Sequence, residues 1–290
     1  MGPPNNLKMP AFGMPKSRAA LIVAALLVVV LLHHPARAQM PSPFASWQND
    51  SGVVLRDMGG PVKDWDVVVG GGVDVSPKYV GSDHYELLPE PVIDARYKDW
   101  AFLTTGEGLG VNLLHGLNYR AGIEVGYDTG RSQHDQRSLN GTGSISPAPI
   151  IRAFGEYAIL PVVIKADLGQ ALGGVDGLIG NLGVYMPVVG NKKLVVFVGP
   201  AVTLANDRYM QHYFGIGTTQ AIPNSRFPLY RAHAGFTNAN FGVTAIYHFT
   251  DHWLIDCDLS YERLLDSAAD SPIVENPNQL GGSVNVDYEF

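Results

Sequence analysis

The last eight residues, Ser283-Val284-Asn285-Val286-Asp287-Tyr288-Glu289-Phe290, alternate polar and apolar without a break and end on an aromatic ring. Successive side chains of an extended strand point to opposite faces, so Val284, Val286, Tyr288 and Phe290 share one face and the polar four share the other. A soluble edge strand can carry this pattern once. Here it recurs along most of the chain, which is the mark of a transmembrane β-barrel: one face of each strand meets lipid and the other lines the interior. Hydropathy windows miss such a protein. Although 46% of the residues are hydrophobic, no apolar stretch after Leu32 reaches the roughly 20 residues that a membrane-crossing helix needs.

The N-terminal region reads as an export signal. Lys16 and Arg18 precede an apolar run from Ala19 to Leu32, and Ala36-Arg37-Ala38 places small residues where a signal peptidase cuts, so cleavage after Ala38 is expected. Three segments follow: a signal peptide over 1–38, a flexible periplasmic lead segment over 39–63, rich in Pro, Ser and Gly, and a barrel over 64–290. Loss of Lys8, Lys16, Arg18 and Arg37 with the signal takes the formal charge from −7 to −11, an acidic balance that argues against nucleic acid as a partner. It permits contact with outer-membrane lipid and, through divalent ions, with lipopolysaccharide.

Alternation predicts twelve strands, at about 64–75, 86–97, 99–105, 108–114, 117–128, 147–158, 162–171, 177–188, 192–205, 234–249, 252–264 and 279–290. Tight connections such as Leu160-Pro161 and Thr250-Asp251 alternate with long ones at 129–146, 206–233 and 265–278, matching short periplasmic turns and longer outer loops. The third and fourth strands are shorter than the roughly 9 to 11 residues of a full crossing, which leaves ten strands as the second choice. Pro200 removes a ladder donor inside the ninth strand, and a bulge is expected there.

With the apolar set outward, the inward set holds Asp66, Asp74, Glu90, Asp94, Glu124, Asp128, Glu156, Asp167, Asp256, Asp258, Glu262, Asp287 and Glu289 against only Arg96, Arg120, Arg152 and Lys165. An acidic, polar lumen follows, because these charges would each cost several kilocalories per mole against lipid. The lone Cys257 shares the outward face of Trp253, Ile255 and Leu259 and reads as a lipid-facing thiol.

Catalytic and cofactor patterns are weak. Gly70-Gly71-Gly72 and Gly106-Glu107-Gly108-Leu109-Gly110 lack the strand–helix setting of a phosphate cradle, and glycine in a barrel strand more often makes room for a neighbour. Ser82-Asp83-His84 has the residue types of a nucleophilic triad, but neighbours in sequence at a strand end point different ways. His134-Asp135 and His212 fall in long loops without a zinc spacing. No cofactor, metal or catalytic residue is assigned.

Several segments together resemble the MltA-interacting protein family, also called the OmpV-like family. They are Ser76-Pro77-Lys78-Tyr79-Val80-Gly81-Ser82-Asp83 with Pro89 and Pro91 downstream, Gly108-Leu109-Gly110-Val111-Asn112-Leu113, and Gly126-Tyr127-Asp128-Thr129-Gly130-Arg131. Tyr213-Phe214-Gly215-Ile216, Pro228-Leu229-Tyr230 and Asp270-Ser271-Pro272-Ile273-Val274 continue the series. The resemblance spans about Asp64 to Phe290. It implies a non-enzymatic outer-membrane barrel, in some relatives a scaffold for a lytic transglycosylase and a bifunctional peptidoglycan synthase, a penicillin-binding protein. A narrow cation-preferring channel for small solutes is the alternative, and a lipid-modifying enzyme a third. The terminal strand Val284, Val286, Tyr288 and Phe290 is the expected assembly strand, and Phe44 and Trp47 of the lead segment are the expected docking anchors.

Overall fold

The computed structural model describes residues 64–290 apart from 135, 225 and 226, so the signal peptide, the lead segment with Phe44 and Trp47, and Asp135 lie outside the described residues. Twelve strands form one antiparallel sheet closed into a barrel. They are β1 (Trp65–Pro77), β2 (Tyr85–Tyr97), β3 (Ala101–Thr104), β4 (Gly108–His115), β5 (Tyr119–Asp128) and β6 (Ala148–Ile159). The ring continues through β7 (Val162–Ala171), β8 (Leu178–Gly190), β9 (Leu194–Ala205), β10 (Gly235–His248), β11 (Trp253–Leu264) and β12 (Asn278–Glu289), and β12 pairs with β1. Closure gives every strand two neighbours over at least part of its length, β2 meeting β3 only from Asp94 to Tyr97, and this pairing is how a sheet satisfies its backbone in lipid.

The predicted alternation sets the faces. Leu87, Val125, Ile151, Leu168, Leu259 and Val284 point outward and are exposed, an apolar surface suited to hydrocarbon rather than water. Rings crowd the end with the short turns: Trp65 lies 4.9 Å from Tyr97, and Trp253 5.1 Å from Tyr288. Tyr85, Tyr127 and Tyr261 are exposed at the loop end, so aromatic belts bracket the apolar band as at both interfaces of a bilayer.

Closure depends on two glycines. Gly70 and Gly72 of β1 stand opposite Asp287 and Asn285 of β12 and face the interior. A Cβ on Gly70 would lie 1.8 Å from the Asp287 carboxylate, and one on Gly72 1.9 Å from the Val284 carbonyl, so only glycine lets these strands approach. The triple glycine is therefore a seam, not a phosphate cradle.

The third and fourth strands are separate and pair with each other, so the expected count of twelve holds over the second choice of ten, although β3 is only four residues long. Two other expectations change. No register shift falls at Pro200. The β8–β9 shift lies at Pro187–Val189, and β9 keeps one register with β10 through Gly242↔Gly199 and Phe241↔Pro200, where β8 approaches so closely that a Cβ at 199 would lie 2.0 Å from the Val184 carbonyl and an inserted residue has no room. The outer loops also hold helices that alternation did not predict: α1 (Asp207–Phe214), α2 (Thr218–Asn224) and α3 (Asp266–Ala269).

The interior is filled in layers. Toward the turn end, Ala158, Val163, Tyr185, Val195, Phe197 and Ala201 form an apolar cluster inside the barrel, where a polar lumen was expected. Residues of β6, β7 and β9 are apolar on both faces there, so the period-two rule does not tell inside from outside. Charged side chains occupy the middle. The loop end is closed by α1, α3 and the loops, whose Tyr209, Met210, Tyr213 and Phe214 pack with Ile150, Ile179 and Leu264 of the wall.

Candidate functional site

The middle layer is an ion-pair network on β5–β7. The Arg120 guanidinium donates to both Glu156 oxygens, Nε to Oε2 at 2.7 Å and Nη2 to Oε1 at 2.5 Å, and to Glu107 at 3.2 Å. Lys165 Nζ donates to Glu107 at 2.6 Å and lies 3.5 Å from Glu156. Arg120 is also sandwiched between two rings, 5.3 Å from the centre of Phe102 and 5.2 Å from that of Phe154. Bidentate geometry with stacking is what a guanidinium supports and an ammonium does not. Arg152 lies 3.4 Å from Glu124 and 3.9 Å from Asp167, and Arg96 donates to Asp94 at 2.9 Å, with Asp66 opposite it in register.

The other wall differs. The inward faces of β1 and β10–β12 carry Asp74, Asp256, Asp258, Glu262 and Asp287, and no lysine or arginine. Asn285 joins β12 to its neighbour β11 by donating to Asp256 at 3.0 Å and, across Gly72 of β1, to β2 by donating to Glu90 at 3.1 Å. Thr244 and Ser283 donate to Asp258 at 2.5 and 3.4 Å. Interior charge is thus divided laterally, with the four cations set among acids on one side and acids alone on the other.

Asp128, at the loop end of β5, anchors the cap. Its carboxylate accepts from the Gly130 amide at 2.8 Å, from the Tyr209 hydroxyl at 3.2 Å and from the Tyr213 hydroxyl. The two rings stack at 4.8 Å, and the Arg131 guanidinium donates to the Tyr213 carbonyl at 2.7 Å. Helix α1 starts where it does because Asn206 caps it, its side chain accepting from the Tyr209 amide at 3.0 Å. Tyr79 ties the β1–β2 loop to the rest by donating to the Ile273 carbonyl at 3.0 Å. Burial pushes the Tyr79 hydroxyl up from 10.0 to about 12 and raises Tyr209 and Tyr213 further, so all three are donors at neutral pH.

Apart from Phe44 and Trp47, which lie outside the described residues, the expected residues can be placed. Asp94, Glu124 and Asp167 join the paired side, with Asp66 across from Arg96; Asp74, Asp256 and Asp258 lie on the acidic side. Val284 and Val286 face outward, Tyr288 and Phe290 belong to the turn-end aromatic belt, and the Phe290 amide donates to Val67 at 3.0 Å. Cys257 is exposed on the outward face. Glu107 was missed. It sits in a three-residue turn, between Gly106 and a Gly108 at φ +92°, and that turn folds its carboxylate into the barrel. An isolated acid inside the apolar stretch Ala101–Leu114 was the available signal.

At the outer rim, Ser82 donates to Gln136 at 2.7 Å and to the His84 carbonyl at 3.2 Å, not to the His84 ring. The Asp83, His84 and Glu275 donor atoms lie within 4.8 Å of one another, all exposed. The Asp83 carboxyl is held below its usual range, mainly by its bond to His84. His134, in a loop, and His212, on helix α1 rather than in the loop expected for it, are exposed and do not belong to this group.

The chain matches the family described as MltA-interacting protein MipA over residues 69–290. It is 29% identical over 206 residues to the outer membrane protein Omp26La of Vibrio anguillarum, covering 64% of this chain and 75% of that one. It is 31% identical over 198 residues to the outer membrane protein OmpV of Vibrio cholerae, covering 61% and 72%. Among solved structures it is similar to the NanC porin, at 9% identity and a TM-score of 0.38 over 78% of this chain and 100% of that one. A likeness to the CymD monoaromatic hydrocarbon channel has 9% identity and a TM-score of 0.40 over 85% and 93%. Scores of that size say nothing about ligand or activity. The sequence relatives do bear on identity: this chain belongs to the MltA-interacting protein MipA family and is, like them, a protein of the outer membrane.

Proposed function

We propose that the barrel is a non-conducting, non-enzymatic interaction protein of the outer membrane, a scaffold for enzymes that remodel peptidoglycan. One observation carries the non-conducting half. A water-filled pore would expose the side chains that line it, yet Arg120, Glu107 and Glu156 at mid-height are no more than 3% exposed. The family's name supports a lytic transglycosylase as the partner, and a penicillin-binding protein beside it is the finer part of the proposal, carried over from the resemblance alone. Purified protein in a planar bilayer is expected to give no porin-sized conductance steps. Steady steps would overturn the filled barrel.

A narrow channel is the second reading, favoured by the partial exposure of Asp74, Glu90, Asp256 and Glu262 along the acidic wall. It requires cation selectivity in a salt gradient, because an acidic wall concentrates cations. The scaffold reading has its own test. The turns that face the periplasm are too small for a stable interface of about 800 Å² per partner, so the lead segment must contribute. Replacing Phe44 and Trp47 by Ala is expected to leave the barrel folded and to weaken capture of a purified lytic transglycosylase at least tenfold. Undiminished capture by the folded double variant rules out docking through this segment.

A further inference from the structure

Strand β2 pairs with β1 along its whole length, from Trp65↔Tyr97 to Pro77↔Tyr85, but with β3 only from Asp94 to Tyr97. Beyond Ile93, where the carbonyl accepts from Thr105 at 2.9 Å, the β3–β4 hairpin turns back. Strand β5 is likewise without β4 beyond Val125. Two strand positions are therefore missing from the wall between the upper parts of β2 and β5, which three spacings of about 4.8 Å set on the order of 14 Å apart.

The open edge of β2 has a defined chemistry. Backbone groups of alternate residues point to the same side, so Leu87, Pro89 and Pro91 turn theirs the way Ile93 does, toward the missing strand. Pro89 and Pro91 have no N–H to donate, and the edge is left rich in carbonyl acceptors without partners among the described residues. Proline at these two places costs no β1–β2 bond and prevents another strand from adding. The same stretch presents Leu87 and Pro89 outward, within the apolar band and below the belt ring of Tyr85. The opening thus lies in the hydrocarbon on the loop side, the outer leaflet.

We infer that this notch is a lateral binding site for an acyl chain of lipopolysaccharide, independent of the scaffold reading. An unpaired carbonyl facing hydrocarbon is costly, and it selects a lipid with donors close to its chains. The amide N–H and 3-hydroxyl groups of lipid A lie at that depth; the ester-linked chains of a phospholipid have neither. Strand addition by a second copy is disfavoured by the same two prolines.

The test places photo-reactive benzoylphenylalanine at Leu87 or, as the control, at Val284, which is also exposed on the outward face but lies on a strand paired on both sides. Cells are irradiated and only the heat-modifiable, folded form is scored; the Pro89 position replaces Leu87 if that variant does not fold. The expected result is a lipopolysaccharide adduct at least fivefold more abundant at the notch than at Val284. Equal yields at both positions, a phospholipid adduct, or an adduct to protein at the notch would each overturn the assignment.

Discussion

A chain lacking Ser283–Phe290 is expected to yield no heat-modifiable band in the outer membrane and to accumulate unfolded. Strand β12 pairs with β1 from Gly282 to Glu289 and with β11 from Asn278 to Tyr288, so its loss opens the ring and strips both neighbours of their ladders. In lipid each orphaned backbone group costs several kilocalories per mole, a total no other contact offsets. The seam gives a milder version of the same experiment. Gly70→Val drives a side chain into the Asp287 carboxylate and the Val286 carbonyl, and it should lower the folded fraction severely while leaving the terminal aromatic intact. Native-like gel migration of the truncated chain would show that β12 is dispensable for closure.

Replacing Arg120 by Met is expected to destabilise the folded barrel by about 3 to 5 kcal/mol, read from the shift of its urea midpoint in lipid. Methionine preserves packing between Phe102 and Phe154 but leaves Glu107 and Glu156 buried with Lys165 as the nearby cation. The loss comes mainly from uncompensated buried charge, so it should be repaired by removing an acid. Arg120→Met combined with Glu107→Gln leaves Lys165 and Glu156 as a balanced pair 3.5 Å apart. This double variant should be more stable than Arg120→Met alone, a non-additivity that contact loss by itself does not produce. A shift below about 1 kcal/mol for the single variant would mean that the network is solvated. That outcome would favour the channel over the filled barrel.

How far the chain could be read without coordinates follows from which interactions are local. Period-two alternation, the tight turns and the terminal strand are properties of neighbouring residues, and they determined the twelve strands to within about two residues at most ends. The inward acids and the four inward cations were placed by the same parity. Parity, however, says only which residues share a face. It cannot say that Arg152 meets Glu124 and Asp167 while the inward faces of β10–β12, which carry no lysine or arginine, stand together on the other side, because that depends on which strands become neighbours once the ring closes. Nor could it mark Phe102, Phe154 and Val163 as interior, since apolar residues stood on both faces of their strands. Glu107 entered the barrel through a glycine-flanked turn, and Asp128 found Tyr209 and Tyr213 some 80 residues away in sequence, at separations of 81 and 85. The filled lumen, the capped mouth and the open edge of β2 are contacts across the closed sheet, where the geometry of the whole ring decides what the alternation of any one strand leaves open.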